Sequence, residues 1–256
     1  MLILLAPSKT MDFITPLPYN IPVEQPLYIE KSKVIARTIE RLDKDALASL
    51  MKISPALVDR VQEMYAKWQP KGAKPTLYTY VGDVFKGMKA NEMKKTDAQW
   101  AQSHLLIMSG LYGVLRPFDL ISPYRLEMKA NLRVGESKNL YDFWTNDLTR
   151  YVETHADGLV FNLSSDEYAG VVTRKLPKNV EVIFPVFYDE RPSGVGRAPI
   201  YNKMMRGVLA RWMIDHKAET PEAIQAFTMH GYQYDSSRST AMQPAFYREK
   251  MTPLIF

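Results

Sequence analysis

The sequence predicts one α/β domain, residues 1–256, with a mixed sheet and surrounding helices. Three observations predict it. Short apolar, β-branched runs at Met1 to Leu5, Leu105 to Met108 and Leu159 to Leu163 alternate with segments whose apolar residues recur at helical spacing. Hydrophobic residues make up 46% of the chain and charged residues 24%, an ordinary globular balance. No fixed-period repeat, linker or low-complexity tract divides the 256 residues.

Taken in order, Met1 to Leu5 reads as a buried strand ended at Pro7. Residues 11–27 carry Pro16, Pro18, Pro22 and Pro26 and read as an extended arm. Helices follow at about 28–43 and 44–52. Ser54-Pro55 places a cap residue before proline at a first helical position. Leu57, Val58, Val61, Met64, Tyr65 and Trp68 then form one helical stripe that Pro70 stops.

Thr76 to Val81 alternates as a strand does, and a turn at Gly82-Asp83 leads into a short helical segment. Thr96 or Asp97 caps a helix running to His104. Leu140, Phe143, Trp144, Leu148, Tyr151 and Val152 make another helical stripe. Ser164-x-x-Glu167 has the spacing of a capping box, opening a helix to about Leu176. Val180 to Tyr188 reads as a strand, residues 202–217 as a helix, and 229–235 and 245–249 as late strands.

Composition excludes several chemistries. The chain has no cysteine, so disulfides, cysteine–zinc sites, iron–sulfur clusters and thiolate nucleophiles are ruled out. The opening apolar run is too short for a signal peptide, and no later segment reaches the ~18 apolar residues of a membrane span. A cytoplasmic protein without a membrane role is expected. His104, His155, His216 and His230 show no metal-ligand spacing, so neither a metal nor a cofactor is expected. No G-x-S-x-G elbow and no G-x-G-x-x-G turn follows a strand.

Charge is more informative by place than by sum. The net charge is +5, and the window Arg191 to Ile214 holds five basic residues (Arg191, Arg197, Lys203, Arg206, Arg211) and no acid. Such a stripe suits a polyanion or forms a solvated face. On a helical wheel Met204, Met205, Val208, Leu209, Trp212 and Met213 share one half, and Lys203, Arg206 and Gly207 lie on the other with Arg211 at its margin. Glycine inside a helix costs ~1 kcal/mol relative to alanine, which suggests close approach of another backbone, either a protein segment or a phosphate chain.

Residues 109–116 read Ser-Gly-Leu-Tyr-Gly-Val-Leu-Arg, a glycine-bearing turn that either offers N–H groups to a phosphate beside Arg116 or is a plain tight turn. It partly matches a helix-hairpin-helix turn, although Gly110 and Gly113 stand one residue further apart than usual. Ala6 to Thr10 ends in Lys9-Thr10 without the glycines of a phosphate loop, which leaves a single Lys or Ser contact to an anion. Asp119, Asp166, Glu167 and Asp189 are candidates for an acidic cluster, but Asp166 and Glu167 also fit an ordinary helix first turn.

The run SGLYGVLRPFDLISPYRLEM closely resembles the signature of the bacterial YaaA family of peroxide stress response proteins. LAPSKTM, LMKISPALV, GDVFKGM, LYDFW, NLSSDEY, PVFYDE, the pair Arg206-Gly207 with Arg211, and Gly231-Tyr232 match it in collinear order over nearly the whole chain. Two departures stand out: Ala6 replaces a serine and Asn202 replaces the first of two paired lysines. The resemblance implies a fold peculiar to the family with a helix-hairpin-helix-like element, a basic cleft, affinity for DNA, and a cytosolic role limiting iron-driven oxidative damage.

Two functions compete. In the first, Lys9, Lys86, Arg116, Arg125, Lys203, Arg206 and Arg211 contact phosphates of double-stranded DNA, and Gly110, Gly113 and Gly207 let backbones approach. No obligate protein partner is expected. In the second, the same cations clamp a small phosphorylated or nucleotide-like substrate while Asp83, Asp119, Asp166 or Glu167 performs acid–base chemistry. A third reading, iron held by carboxylates and His230, has weaker support.

Overall fold

The computed structural model describes residues 1–249. Strand β1 (Leu2–Leu5) opens the chain. The proline-rich arm after it forms only isolated bridges, Met11 to Tyr80 and Glu24 to Asp119. Then come α1 (Ile29–Glu40), α2 (Lys44–Met51) and α3 (Pro55–Ala66). Asp43 caps α2 by accepting from the Ala46 N–H at 2.8 Å. Left-handed Lys52 (φ 51°) ends α2, so α2 and α3 form a tight helical hairpin around Lys52, Ile53 and Ser54.

The chain continues through β2 (Lys74–Pro75), α4 (Asp83–Met88), α5 (Lys95–His104), β3 (Leu105–Ser109), β4 (Gly113–Leu115) and β5 (Leu120–Ile121). Helix α6 (Leu140–His155) is capped by the Asn139 side chain, which accepts from the Asp142 N–H at 2.9 Å. Next are β6 (Leu159–Leu163), α7 (Asp166–Thr173), β7 (Glu181–Ile183), β8 (Val186–Asp189), α8 (Pro199–His216), β9 (Gln233–Tyr234) and β10 (Ala245–Arg248).

The main sheet has the order β4-β3-β1-β6-β7. β1 runs parallel to β3 and β6, β6 parallel to β7, and only β4 is antiparallel. Every residue of β1 and β3 is buried, as expected for parallel strands covered on both faces. A second sheet, β8-β10-β9, and the small pair β2-β5 complete a mixed α/β architecture.

The connectivity positions the site. From β1 the chain goes to β3 on one side, and from β6 it goes to β7 on the other. The connections therefore diverge between β1 and β6, leaving a crevice beyond their carboxyl ends. Open α/β sheets bind ligands at this kind of switch point.

Four expectations are corrected. Residues 76–81 do not form a strand: Thr76–Tyr78 make a 3-10 turn, with the Thr76 hydroxyl donating to the Asp119 carbonyl at 2.7 Å. Residues 180–188 are two strands in two sheets, because Pro185 lacks the N–H to continue the ladder. The capping box at Ser164 is not formed. Ser165 is the N-cap residue, and Glu167 instead accepts from the Lys129 N–H at 3.3 Å. Finally, residues 109–116 are the tight link between antiparallel β3 and β4, a β-hairpin rather than a helix-hairpin-helix.

Candidate functional site

A cavity of about 580 Å³ opens at the carboxyl ends of β1 and β6. Five pieces of chain line it: residues 6–11 after β1, residues 81–86 at the start of α4, residues 124–129, Leu163 to Tyr168 after β6, and Lys203 and Arg206 on α8. This is the crevice that the strand order leaves open.

Close backbone packing sets these pieces. The Ser8 hydroxyl accepts from the Thr10 N–H at 3.1 Å and lies so near Gly82 that a Cβ there would stand 2.4 Å from it. Helices α4 and α8 cross through paired glycines. A Cβ on Gly87 would lie 2.2 Å from the Met204 carbonyl oxygen. Gly207 is thus explained by a protein backbone, the first of the two alternatives its position left open. The crossing carries Lys86 on α4 to the same cleft as Lys203 and Arg206, which are one turn apart on α8.

The charges at the mouth divide into two sets. One is a ladder: Lys9 pairs with Glu127, Glu127 with Lys129 at 3.4 Å, and Lys129 with Glu167 at 3.4 Å. Burial pushes the Glu127 carboxyl up, but the hydrogen bond from Lys9 and the charges of Lys9 and Lys129 outweigh it, leaving the group below the usual carboxylate range. Glu167 and Glu127 in turn raise the Lys129 ammonium.

The other set is unneutralised. Among the described residues, the side chains of Lys86, Arg125, Lys203 and Arg206 form no hydrogen bond and no ion pair within 4.0 Å. Arg125 and Arg206 are partly buried. Burial pulls the Arg206 guanidinium below its ordinary value, against the attraction of Asp166 and with repulsion from Arg197. Holding a guanidinium partly out of water without a counter-ion is unfavourable, and a bound anion relieves it.

The cavity gathers Lys9, Lys86, Arg125, Lys203 and Arg206, together with Asp83 and Glu167. Asp166 is exposed nearby and acts on Arg206 through its charge. Other candidates lie elsewhere. Arg116 grips buried Asp119 through Nη2 at 2.8 Å and Nε at 3.2 Å, and pairs with Glu24 at 2.7 Å. Burial pushes the Asp119 carboxyl up to about 6 despite those donors. Arg211 closes the end of α4, donating to the carbonyls of Lys89 at 2.9 Å and Met88 at 3.3 Å, and pairs with Asp215 at 2.8 Å.

No phosphate has room beside the two hairpin glycines. A Cβ on Gly110 would be 2.7 Å from the Leu126 carbonyl oxygen, and one on Gly113 (φ 73°) 2.8 Å from the Trp144 ring. Asp189 is buried against Arg248, which donates to it at 2.6 Å, and against the Tyr232 hydroxyl at 2.6 Å.

The sequence reading missed a ribbon. From Tyr124 to Val134 burial alternates with period two: Tyr124, Leu126, Met128, Ala130, Leu132 and Val134 face inward. Arg125, Glu127, Lys129, Asn131 and Arg133 share the outer face, and the alternation was present in the sequence as a signal for extended chain. The ribbon carries Arg125, Glu127 and Lys129 from the first cavity into a neighbouring groove of about 630 Å³, which Lys52 and Ser49 of the helical hairpin also line.

Comparison with known proteins shows the family to which the chain is similar. A family model described as peroxide stress protein YaaA matches residues 1–238. A UPF0246 protein of Bordetella petrii is 38% identical over 260 residues, covering 97% of this chain and 100% of the relative. A UPF0246 protein of Bordetella avium is 36% identical over 256 residues, covering 97% and 99%, and one of Bordetella pertussis is 34% identical over 258 residues, covering 98% and 100%.

Proposed function

We propose that this chain, which belongs to the YaaA family of peroxide stress proteins, binds the phosphate backbone of double-stranded DNA through the switch-point cleft. The observation that carries the reading is the set of four unneutralised cations, Lys86, Arg125, Lys203 and Arg206, drawn from three separate parts of the sequence to one opening. The ribbon extends the basic surface to Lys52 and Arg133 beside the helical hairpin. Among the described residues no row of exposed aromatics lines either groove to stack bases, so binding is largely independent of sequence.

Protection follows from occupancy. Iron-driven oxidation damages the nucleic acid where the radical forms. A chain without cysteine has no thiol with which to reduce peroxide, so it acts on the target of the damage or on the iron, and a basic cleft favours shielding the target. The cytoplasm, where such DNA lies, is the compartment that suits this role. A second reading, catalysis on a small phosphorylated substrate, draws on Asp83 and Glu167 sharing the cavity with the cations.

The test is a salt titration of binding to a labelled duplex. With ~4 phosphate contacts at a slope near −0.9 each, a fourfold rise in salt weakens affinity by roughly a hundredfold. Affinity that stays flat across the titration contradicts the reading.

A further inference from the structure

We infer that the switch-point cavity is also a site for a free nucleoside monophosphate, a deepening of the small-substrate reading that stands independently of duplex binding. Three features favour a small ligand over a surface contact alone. The cavity, at about 580 Å³, falls in the range of pockets that enclose small ligands. It lies between the two strands from which the chain diverges, where α/β sheets hold nucleotides. Its lining has two characters: cations at the mouth, and an inner wall that includes Phe85, Tyr124, Leu126 and Tyr168, all buried.

The wall is preorganised. The Tyr124 hydroxyl is fixed between Tyr80 at 2.5 Å and Ser109 at 2.8 Å, and the Tyr80 ring packs on Phe85 with centroids 5.1 Å apart. Preformed walls reduce the ordering cost of binding. Once the Lys9–Glu127–Lys129–Glu167 ladder has neutralised itself, the lining retains Lys86, Arg125, Lys203 and Arg206 against Asp83. That surplus of three positive charges more than balances a phosphate dianion. Arg206, partly buried and without an ion-pair partner, is the primary phosphate ligand, and Lys203 one turn earlier is the second. Asp83 remains as an acceptor for the hydroxyl or amino donors of the nucleoside, and the apolar wall covers a flat base. Bare phosphate leaves that wall uncovered, which is why the phosphorylated nucleoside is the better fit.

The experiment is calorimetric titration of the full chain with AMP, GMP, CMP and TMP, with the matching nucleosides, and with inorganic phosphate. Duplex binding is measured in parallel. At least one monophosphate is expected to bind saturably, at least tenfold more tightly than its nucleoside and than inorganic phosphate. Arg206→Gln removes at least tenfold of that affinity and Arg206→Lys restores part of it. Arg150→Gln, on α6 and lining neither groove, leaves it unchanged. Circular dichroism melts confirm that each variant folds. Absence of saturable monophosphate binding overturns the inference, as does equal binding of nucleoside and nucleotide, or full nucleotide affinity in folded Arg206→Gln. If those results occur while the duplex still binds, the nucleotide site fails and the DNA reading stands. Monophosphate binding without duplex binding has the opposite meaning.

Discussion

A Cβ placed on Gly207 would stand 1.7 Å from the carbonyl oxygen of Val84, so α8 and α4 meet with no room for a side chain between them. That contact sets where Arg206 sits, because the arginine precedes the glycine on the same helix turn.

Gly207→Ala therefore behaves opposite to intrinsic helix propensity. In a free helix the change favours folding by ~1 kcal/mol. Here it forces two backbones apart, and overpacking of this kind typically costs ~1–3 kcal/mol or more. Denaturant unfolding of Gly207→Ala is expected to show a net loss of stability, with Gly87→Ala behaving alike. A gain in either variant contradicts the crossing.

Arg206→Met separates stability from binding. The substitution removes a partly buried cation that has no ion-pair partner and keeps much of the aliphatic volume. The melting temperature is expected to rise or hold while anion affinity falls, as at sites where binding groups are kept at a cost to folding. A large drop in melting temperature would mean that Arg206 serves the fold.

Glu127→Gln tests the charge ladder. The variant frees Lys9 and leaves Lys129 paired with Glu167 alone, so duplex affinity is expected to rise at low salt and its salt dependence to steepen. The Glu127 carboxyl is lowered in the fold, so its contribution to stability is present above the unfolded value near 4.3 and is lost as pH falls through the lower folded value. Acid unfolding of the wild type and variant is accordingly expected to converge at low pH.

Asp119 has the opposite sign. Its carboxyl is raised to about 6 by burial, above the unfolded value near 3.9. Its contribution is fully present below ~4 and is lost as pH rises through ~6, a difference on the order of 2–3 kcal/mol. Melting temperatures of wild type and Asp119→Asn between pH 4 and 7.5 check this. The wild type is expected to lose ground to the variant across that window.

How legible the fold was varied with the physics of each element. Helices with wide apolar stripes, such as α3 with proline at its first position and α6 with its Asn139 cap, were readable to within a few residues, as was the short buried strand β6. Residues 76–81 misled because their alternation reflects burial among side-chain hydrogen bonds, not ladder pairing. Pro185 was a visible break inside an apolar run and could have divided 180–188.

At the site, Lys203, Arg206 and Lys9 were legible from local charge and from the turn after β1. Arg116 and Arg211 were not separable from them, since their partners Asp119 and the α4 carbonyls are found only in three dimensions. Lys129 and Glu127 were readable only as an alternating ribbon. Gly207 marked a close approach, but what approaches was a property of the fold.

The most direct measurement compares the salt dependence of duplex binding in wild type and in an Arg125→Gln, Lys203→Gln, Arg206→Gln variant. Removing three phosphate contacts is expected to reduce the magnitude of the log–log slope by about 2.7 and to weaken binding by several tens of fold at low salt. An unchanged slope and affinity in the folded variant would contradict the claim that these unneutralised cations form the anion-binding surface.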